Sequence, residues 1–540
     1  MSILLALQVA LPLKAADTLR VQYSFLSLEL PVADLEAYAT KGERSPLLNS
    51  YLRGLNPTQL EDLRRTLNQS LHIPPQVLAR FLSTSSGYRF LEDLSQLVQA
   101  DAPEMDSVIA LRTAIILTAA QEESITLLGL LRHFPAAGVR VDVQEGLRLF
   151  KLLQRATADQ QQVKQEIKQR SLDATASIRP LLPSQVQALT QVGPFRWQTR
   201  SLQLQDSSSE RLQFSGSVRS LPLDLYLPHR GDPAPVLILS HGLGAGRTSH
   251  TYLAEHLASY GYAVIIPEHL GSSVAYWRAL LKSELSEISR PQEFIDRPLD
   301  IQFILDELTR RSHLDPQLKG RLNLNQVGII GHSFGGYTAL VNAGGQLDLP
   351  QLRQTCQQGS LQAFNPSLLL QCQAAAISVP LPKLSEPRVK AVMVVNPISS
   401  ALFGPTGLEN IQIPLLMVAG GTDYIAPLAQ EQWAAFQQLS SPHQHLLLLD
   451  QANHFSSIGD LSAQDALLNG PAGSPETISR KTRVVLRAIA LSFFATYLPV
   501  QSNPPVFSLP VTVKSLNQPD LSVFGVTIRP QKEYSLTHVK

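Results

Sequence analysis

At 540 residues, 44% hydrophobic and 16% charged, the chain has the composition of a folded globular protein. It also exceeds the length at which one hydrophobic core stops growing, so two domains are expected. Its 45 Lys and Arg nearly cancel its 44 Asp and Glu, and no block of basic residues is placed to track a phosphate backbone, which excludes nucleic acid as a partner.

The chain starts MSILLALQVALPLKAADTLR. The apolar run Ile3 to Leu13 ends in the small residues Ala15 and Ala16, so residues 1–20 read as a secretory signal segment; its basic start is missing, so either the signal is truncated or the true start lies upstream. The alternative is a buried first strand or helix. Residues 21–170 carry apolar residues at helical spacing, for example Leu60, Leu63 and Leu67 in NPTQLEDLRRTLNQSL, where Asn56 and Pro57 supply an N-cap and a first-turn proline. Further helices are expected in PPQVLARFLSTSSGYRFLEDLSQLV, MDSVIALRTAIILTAAQEES and VQEGLRLFKLLQRATADQQQVKQEIKQRS. An all-helical N-terminal domain without evident chemistry follows. Its most apolar stretch, Thr113 to Ala120, is too short to span a membrane.

Residues 171–195, around SLDATASIRPLLPSQV, read as a linker. From 196 to 500, short apolar runs alternate with helical stretches: PVLILS (235–240), YAVIIPEH (262–269), QVGIIG (326–331), VKAVMVVNP (389–397), IPLLMVAGG (413–421) and HLLLLD (445–450). Runs that are apolar throughout imply strands buried on both faces, hence an α/β fold with a mostly parallel sheet flanked by helices. Ligands of such sheets bind at the carboxyl ends of the strands. The tail, 501–540, either adds strands or stays outside the sheet.

The informative residues follow those strands. After QVGII comes Gly331-His332-Ser333-Phe334-Gly335-Gly336, then the helical YTALVNA. G-x-S-x-G at a strand-to-helix joint is the nucleophile elbow of alpha/beta hydrolases, which lifts a serine above the sheet at the start of a helix. After PVLILS comes the glycine-rich His241-Gly242-Leu243-Gly244, where these enzymes supply one oxyanion donor. The backbone N–H groups of Leu243 and Phe334 are therefore the expected oxyanion hole, with His241 shaping the loop. A serine needs a base, and the base an acid, in the chain order Ser, Asp or Glu, His. Asp423 follows the strand IPLLMVAGG, and His454 lies in the loop QANHFSS after the next one. Asp450 and Asp460 compete for the acid role but fit less well. His443 and His445 read as strand-entry residues and not as metal ligands, since no cysteine or carboxylate pattern completes a site. The chemistry requires no metal or cofactor.

The combination of LSHGLGAGRTSHTYLAEHLASYGYAVIIPEHLGSS with VGIIGHSFGGYTAL resembles the platelet-activating-factor acetylhydrolase branch of the alpha/beta hydrolases, across roughly residues 196–500. The resemblance implies a calcium-independent, secreted or membrane-associated esterase acting on phospholipid or related lipid esters, with peripheral membrane contact. It also implies the same roles for Ser333, His454, Leu243 and Phe334. One departure matters: that branch takes its acid after the preceding strand, where this chain has Asn396 in VVNPISS. The N-terminal LELPVADLEAYATKGERSPLLNSYL resembles an uncharacterised domain that precedes such hydrolases in some bacterial exported proteins, so export is expected.

The substrate pocket is expected from insertions at 272–285 and about 345–387, where Tyr276, Trp277 and NPSLLLQC either line an acyl channel or simply pack. Cys356 and Cys372 lie in the second insertion; they form a disulfide if the chain is exported and stay thiols if it is not. The rival readings are a serine peptidase of the same fold, and a binding or scaffold protein with a vestigial triad.

Overall fold

The computed structural model describes residues 16–528 except 25, 123, 358–362, 460–474, 501–506 and 519. The signal-like segment therefore lies almost wholly outside the described residues, as does Asp460. The chain divides into two compact units, the first ending at Gln154 and the second beginning at Arg155.

The first unit is not all-helical. Between its helices it holds a four-stranded sheet of β1 (Thr18–Tyr23), β2 (Leu26–Pro31), β3 (Val98–Ala100) and β4 (Gly138–Asp142), in the order β2-β1-β4-β3. β1 and β2 form an antiparallel hairpin, and β1 runs parallel to β4. These strands are short and lack a clean alternation of buried and exposed positions, so the helical periodicity around them masks them. The expected helix Pro57–Asn68 forms, with a reciprocal cap in which Asn56 and Gln59 each accept the other's backbone N–H at 2.9 Å. The long stretch beginning PPQVLARF breaks into Pro75–Phe81 and Ser85–Ser95, because Thr84 caps the second helix by accepting from the Gly87 N–H. Among the described residues, no helix is long and apolar enough to cross a membrane.

The second unit is built on nine strands: β5 (Trp197–Asp206), β6 (Arg219–Pro228), β7 (Ala234–Ser240), β8 (Ala263–Pro267), β9 (Leu322–His332), β10 (Val389–Val395), β11 (Leu415–Gly420), β12 (Gln444–Leu449) and β13 (Val523–Ile528). Their order is β13-β12-β11-β10-β9-β7-β8-β6-β5. β7 to β12 run parallel to their neighbours within that set, while β5, β6 and β13 join antiparallel at the two edges. The six apolar runs become the six parallel strands because both faces are covered. Leu237, Leu239, Met393, Val395, Leu416 and Val418 point into one core with the helices Thr251–Ser259 and Glu476–Tyr497. Their alternates Ile238, Val392, Val394 and Met417 are equally buried. Each fully buried side chain of this size contributes about 1.5–3 kcal/mol.

Two domain boundaries need correction, and one alternative for the tail is decided. The helix Val143–Thr175 runs past residue 170, and the division between units falls within it. The supposed linker contains the helix Pro183–Thr190, whose Leu189 is buried in the core of the second unit. The tail supplies β13, which pairs with β12 because its alternating apolar residues complete the edge of the sheet.

Candidate active site

Ser333 sits between β9 and the helix Phe334–Asn342 with φ 54° and ψ −114°, a conformation that costs a non-glycine residue energy and that the tight elbow enforces. The turn closes against the end of β7: a Cβ on Gly335 would collide with the Ser240 carbonyl. The loop after β7 comes equally near, since a Cβ on Gly242 would lie 3.3 Å from the Ser333 Cβ. Glycine at these two positions is what lets the loop approach Ser333.

The structure brings Ser333, His454 and Asp423 together. His454 Nε2 lies 2.9 Å from Ser333 Oγ, and its Nδ1 lies 2.7 Å from Asp423 Oδ2. The other carboxylate oxygen of Asp423 accepts the N–H groups of Ile425 and Ala426, both at 2.8 Å. With Nδ1–H given to Asp423, Nε2 is left to accept the serine proton, the tautomer that base catalysis requires. Asp423 is 1% exposed, His454 4% and Ser333 6%, so the chain of hydrogen bonds is shielded and electrostatically strengthened.

The His454 loop is held from beneath. His332 donates its Nε2–H to the His454 carbonyl at 2.9 Å, and burial keeps this imidazole neutral, far below its ordinary pKa. Asn396 also reaches that carbonyl, at 3.3 Å, while its own oxygen accepts the Gly420 N–H at 2.8 Å. At the position where the resemblance puts an acid, this chain therefore has a bracket between backbone segments. Asp450 is committed elsewhere, to Lys164 and Lys168 at 2.8 and 2.7 Å.

For the oxyanion hole, Phe334 is the first residue of its helix, where backbone N–H groups have no acceptor in the preceding turn. In the opposite loop Gly244 donates to Ser272 and Ala245 to Gly242, whereas the Leu243 N–H has no protein acceptor among the described residues. His241 shapes this loop as expected, donating to the Gly242 carbonyl at 2.8 Å and accepting the His269 N–H at 3.0 Å. Trp277 packs its indole within 3.1 Å of where a Gly244 Cβ would lie. The polar residues of NPSLLLQC are spent on packing: Ser367 and Gln371 donate to the buried Glu431 at 2.9 and 2.8 Å. Cys356 and Cys372 are bridged. His445 bonds Thr527 and Tyr497, as a strand-entry residue would.

Sequence reasoning missed a second chain of the same residue types behind the loop. Asp300 Oδ2 lies 2.8 Å from His269 Nδ1, and His269 Nε2 lies 3.0 Å from Ser240 Oγ. Glu268-His269 at the end of β8 was its only sequence signal.

The comparisons with known proteins agree with this architecture. Residues 15–142 match the family described as "Alpha/beta hydrolase of unknown function (DUF1400)", and residues 214–300 match "Platelet-activating factor acetylhydrolase, isoform II". The chain has the alpha/beta-hydrolase fold. The chain is similar to the platelet-activating factor acetylhydrolases of Cavia porcellus (30% identical over 138 residues, 20% of this chain and 32% of the relative) and Bos taurus (28% over 141 residues, 20% and 32%). That of Canis lupus familiaris is 28% identical over 159 residues, covering 24% of this chain and 36% of the relative. The chain thus spans about a third of the length of the curated relatives it matches. The second family match covers β7, β8 and the loop with Leu243 and ends before the elbow.

Proposed function

We propose that the protein is a serine carboxylic-ester hydrolase acting on lipid or phospholipid-type esters. The observation that carries this reading is the continuous Ser333–His454–Asp423 hydrogen-bond chain on an alpha/beta-hydrolase elbow. His454 Nε2 takes the proton from Ser333 Oγ as the oxygen attacks the ester carbonyl. Asp423 then stabilises the imidazolium, and the N–H groups of Leu243 and Phe334 hold the oxyanion. Collapse of the tetrahedral intermediate expels the alcohol with the proton returned by His454, and water, activated by the same imidazole, releases the acyl group. Similarity to proteins called platelet-activating factor acetylhydrolases supports the lipid class.

Export is part of the proposal. The Cys356–Cys372 bridge supports it, because such bonds persist mainly in oxidising compartments. Fractionation of the native host with an antibody to the protein tests it, and a cytosolic pool alone would count against it.

The activity test is hydrolysis of p-nitrophenyl esters from acetyl to palmitoyl, with wild type beside Ser333→Ala and peptide anilides in parallel. Ester cleavage lost in the variant supports the reading, and the chain-length optimum separates acetylhydrolase from lipase. Anilide cleavage alone would make it a peptidase, and no cleavage of either would leave a binding protein.

A further inference from the structure

We infer that Arg297 is a positioning residue for the oxyanion hole: one buried guanidinium ties the loop carrying the Leu243 N–H to the helix start carrying the Phe334 N–H. This rests on the ester-hydrolase reading and adds to it a residue that touches neither substrate nor triad.

Arg297 is fully buried, and each side of its planar fork grips a different segment. Toward the loop, Nη2 donates to the His241 carbonyl and to Ser240 Oγ, the latter at 3.2 Å. Nη1 donates to Ser272 Oγ at 2.6 Å, and the Ser272 carbonyl in turn accepts the Gly244 N–H at 2.8 Å. The loop is thereby held at residues 240, 241 and 244, on both sides of Leu243. Toward the helix, Nε donates to Thr338 Oγ1 at 3.0 Å, and Thr338 donates to the Phe334 carbonyl at 3.1 Å. The guanidinium also lies 4.4 Å over the Phe334 ring.

The second serine–histidine–aspartate chain gives this grip its direction. Asp300 accepts Nδ1–H of His269, so His269 Nε2 accepts the Ser240 hydroxyl proton. That leaves the Ser240 oxygen as an acceptor for Arg297. Burial and the neighbouring arginine keep His269 neutral, which preserves the order of donors. Burial lowers the pKa of Arg297 itself to about 9, so it still carries its charge at pH 7. A lysine would retain that charge but has one point of donation in place of the fork.

The test uses the full chain, wild type beside Arg297→Lys and Thr338→Val, with rates expressed per titrated active site on p-nitrophenyl acetate and its thiono analogue. The thiono sulfur accepts hydrogen bonds poorly, so the oxo-to-thiono rate ratio reads the oxyanion hole and not general folding. Arg297→Lys is expected to lower kcat on the oxo ester about 10- to 100-fold, toward the loss seen when an oxyanion donor is removed. KM should stay within about twofold and the ratio should fall with kcat. Thr338→Val, which cuts only the Phe334 arm, should lower both about three- to tenfold. An unchanged ratio in both variants overturns the inference, whether or not kcat falls; if Arg297→Lys does not fold, the ratio in Thr338→Val decides alone. A wild type inert on both esters would sink the esterase reading, and this inference with it, whereas an active wild type with unchanged ratios sinks the inference alone.

Discussion

The second unit contains two Ser–His–Asp chains with nearly the same distances and opposite surroundings. In one, Ser333 projects from a strained elbow at a helix start, and its aspartate is held by two backbone N–H groups. In the other, Ser240 is the last residue of β7, and its hydroxyl lies between His269 and Arg297. Its aspartate, Asp300, is fully buried and also accepts from Arg211 and Arg219 at 2.8 Å. On the proposed function, the first chain leaves the serine oxygen free to attack beside the Leu243 and Phe334 N–H groups. The second spends every donor and acceptor on its neighbours, so it can transmit position but not a proton to substrate. Residue identity and distance therefore do not define a nucleophile. Strain and the fate of the serine oxygen do.

That contrast predicts losses of different kinds. Ser333→Ala should lower kcat about 10⁴- to 10⁶-fold in ester hydrolysis, whereas Ser240→Ala should cost only about three- to tenfold; comparable losses would erase the distinction. Asp423→Asn should lower kcat about 10⁴-fold by leaving His454 in the wrong tautomer, while urea denaturation shows a stability change within about 1 kcal/mol. Asp300→Asn should do the reverse, destabilising the fold by about 3–5 kcal/mol in the same assay because two arginines lose a buried partner. Should Asp423→Asn prove the more destabilising of the two, the division between catalytic and structural chains would be wrong.

The smallest expected effect is on acid stability. Burial lowers the pKa of His250 and His445 from 6.5 to about 4 and that of His256 to about 3, so the unfolded chain binds protons more readily than the folded one across that range. Their contribution is fully present above pH 6.5 and is lost as the pH falls toward 4. The thermal midpoint should decline over this window, and His256→Gln should flatten part of the decline. A midpoint constant from pH 7 to 4.5 would refute the assignment of these rings as buried and neutral.

Much of the second unit was legible because its signals are local. Each parallel strand is an unbroken apolar run, and the elbow announces its close contacts through glycine. Asp423 and His454 could be chosen because the topology places chemistry just after strands. The β1–β4 sheet was hidden because its strands are short and carry no clean alternation. The edge strands β5 and β6 escaped for a similar reason: β5 mixes polar and apolar residues on a partly solvated edge. β13 lay in a tail whose role only its pairing with β12 reveals.

By itself, the sequence determined the fold class and pointed to Ser333, Asp423 and His454, since these follow from periodicity and from residues adjacent in the chain. Tertiary structure alone decided that Asn396 brackets backbone, that Asp450 pairs with lysines, and that Arg297 joins the His241 loop to the helix starting at Phe334. Those assignments depend on bonds between residues tens to hundreds of positions apart. A buried polar group takes whichever partner the packed chain brings within reach, and no local pattern records which one that is.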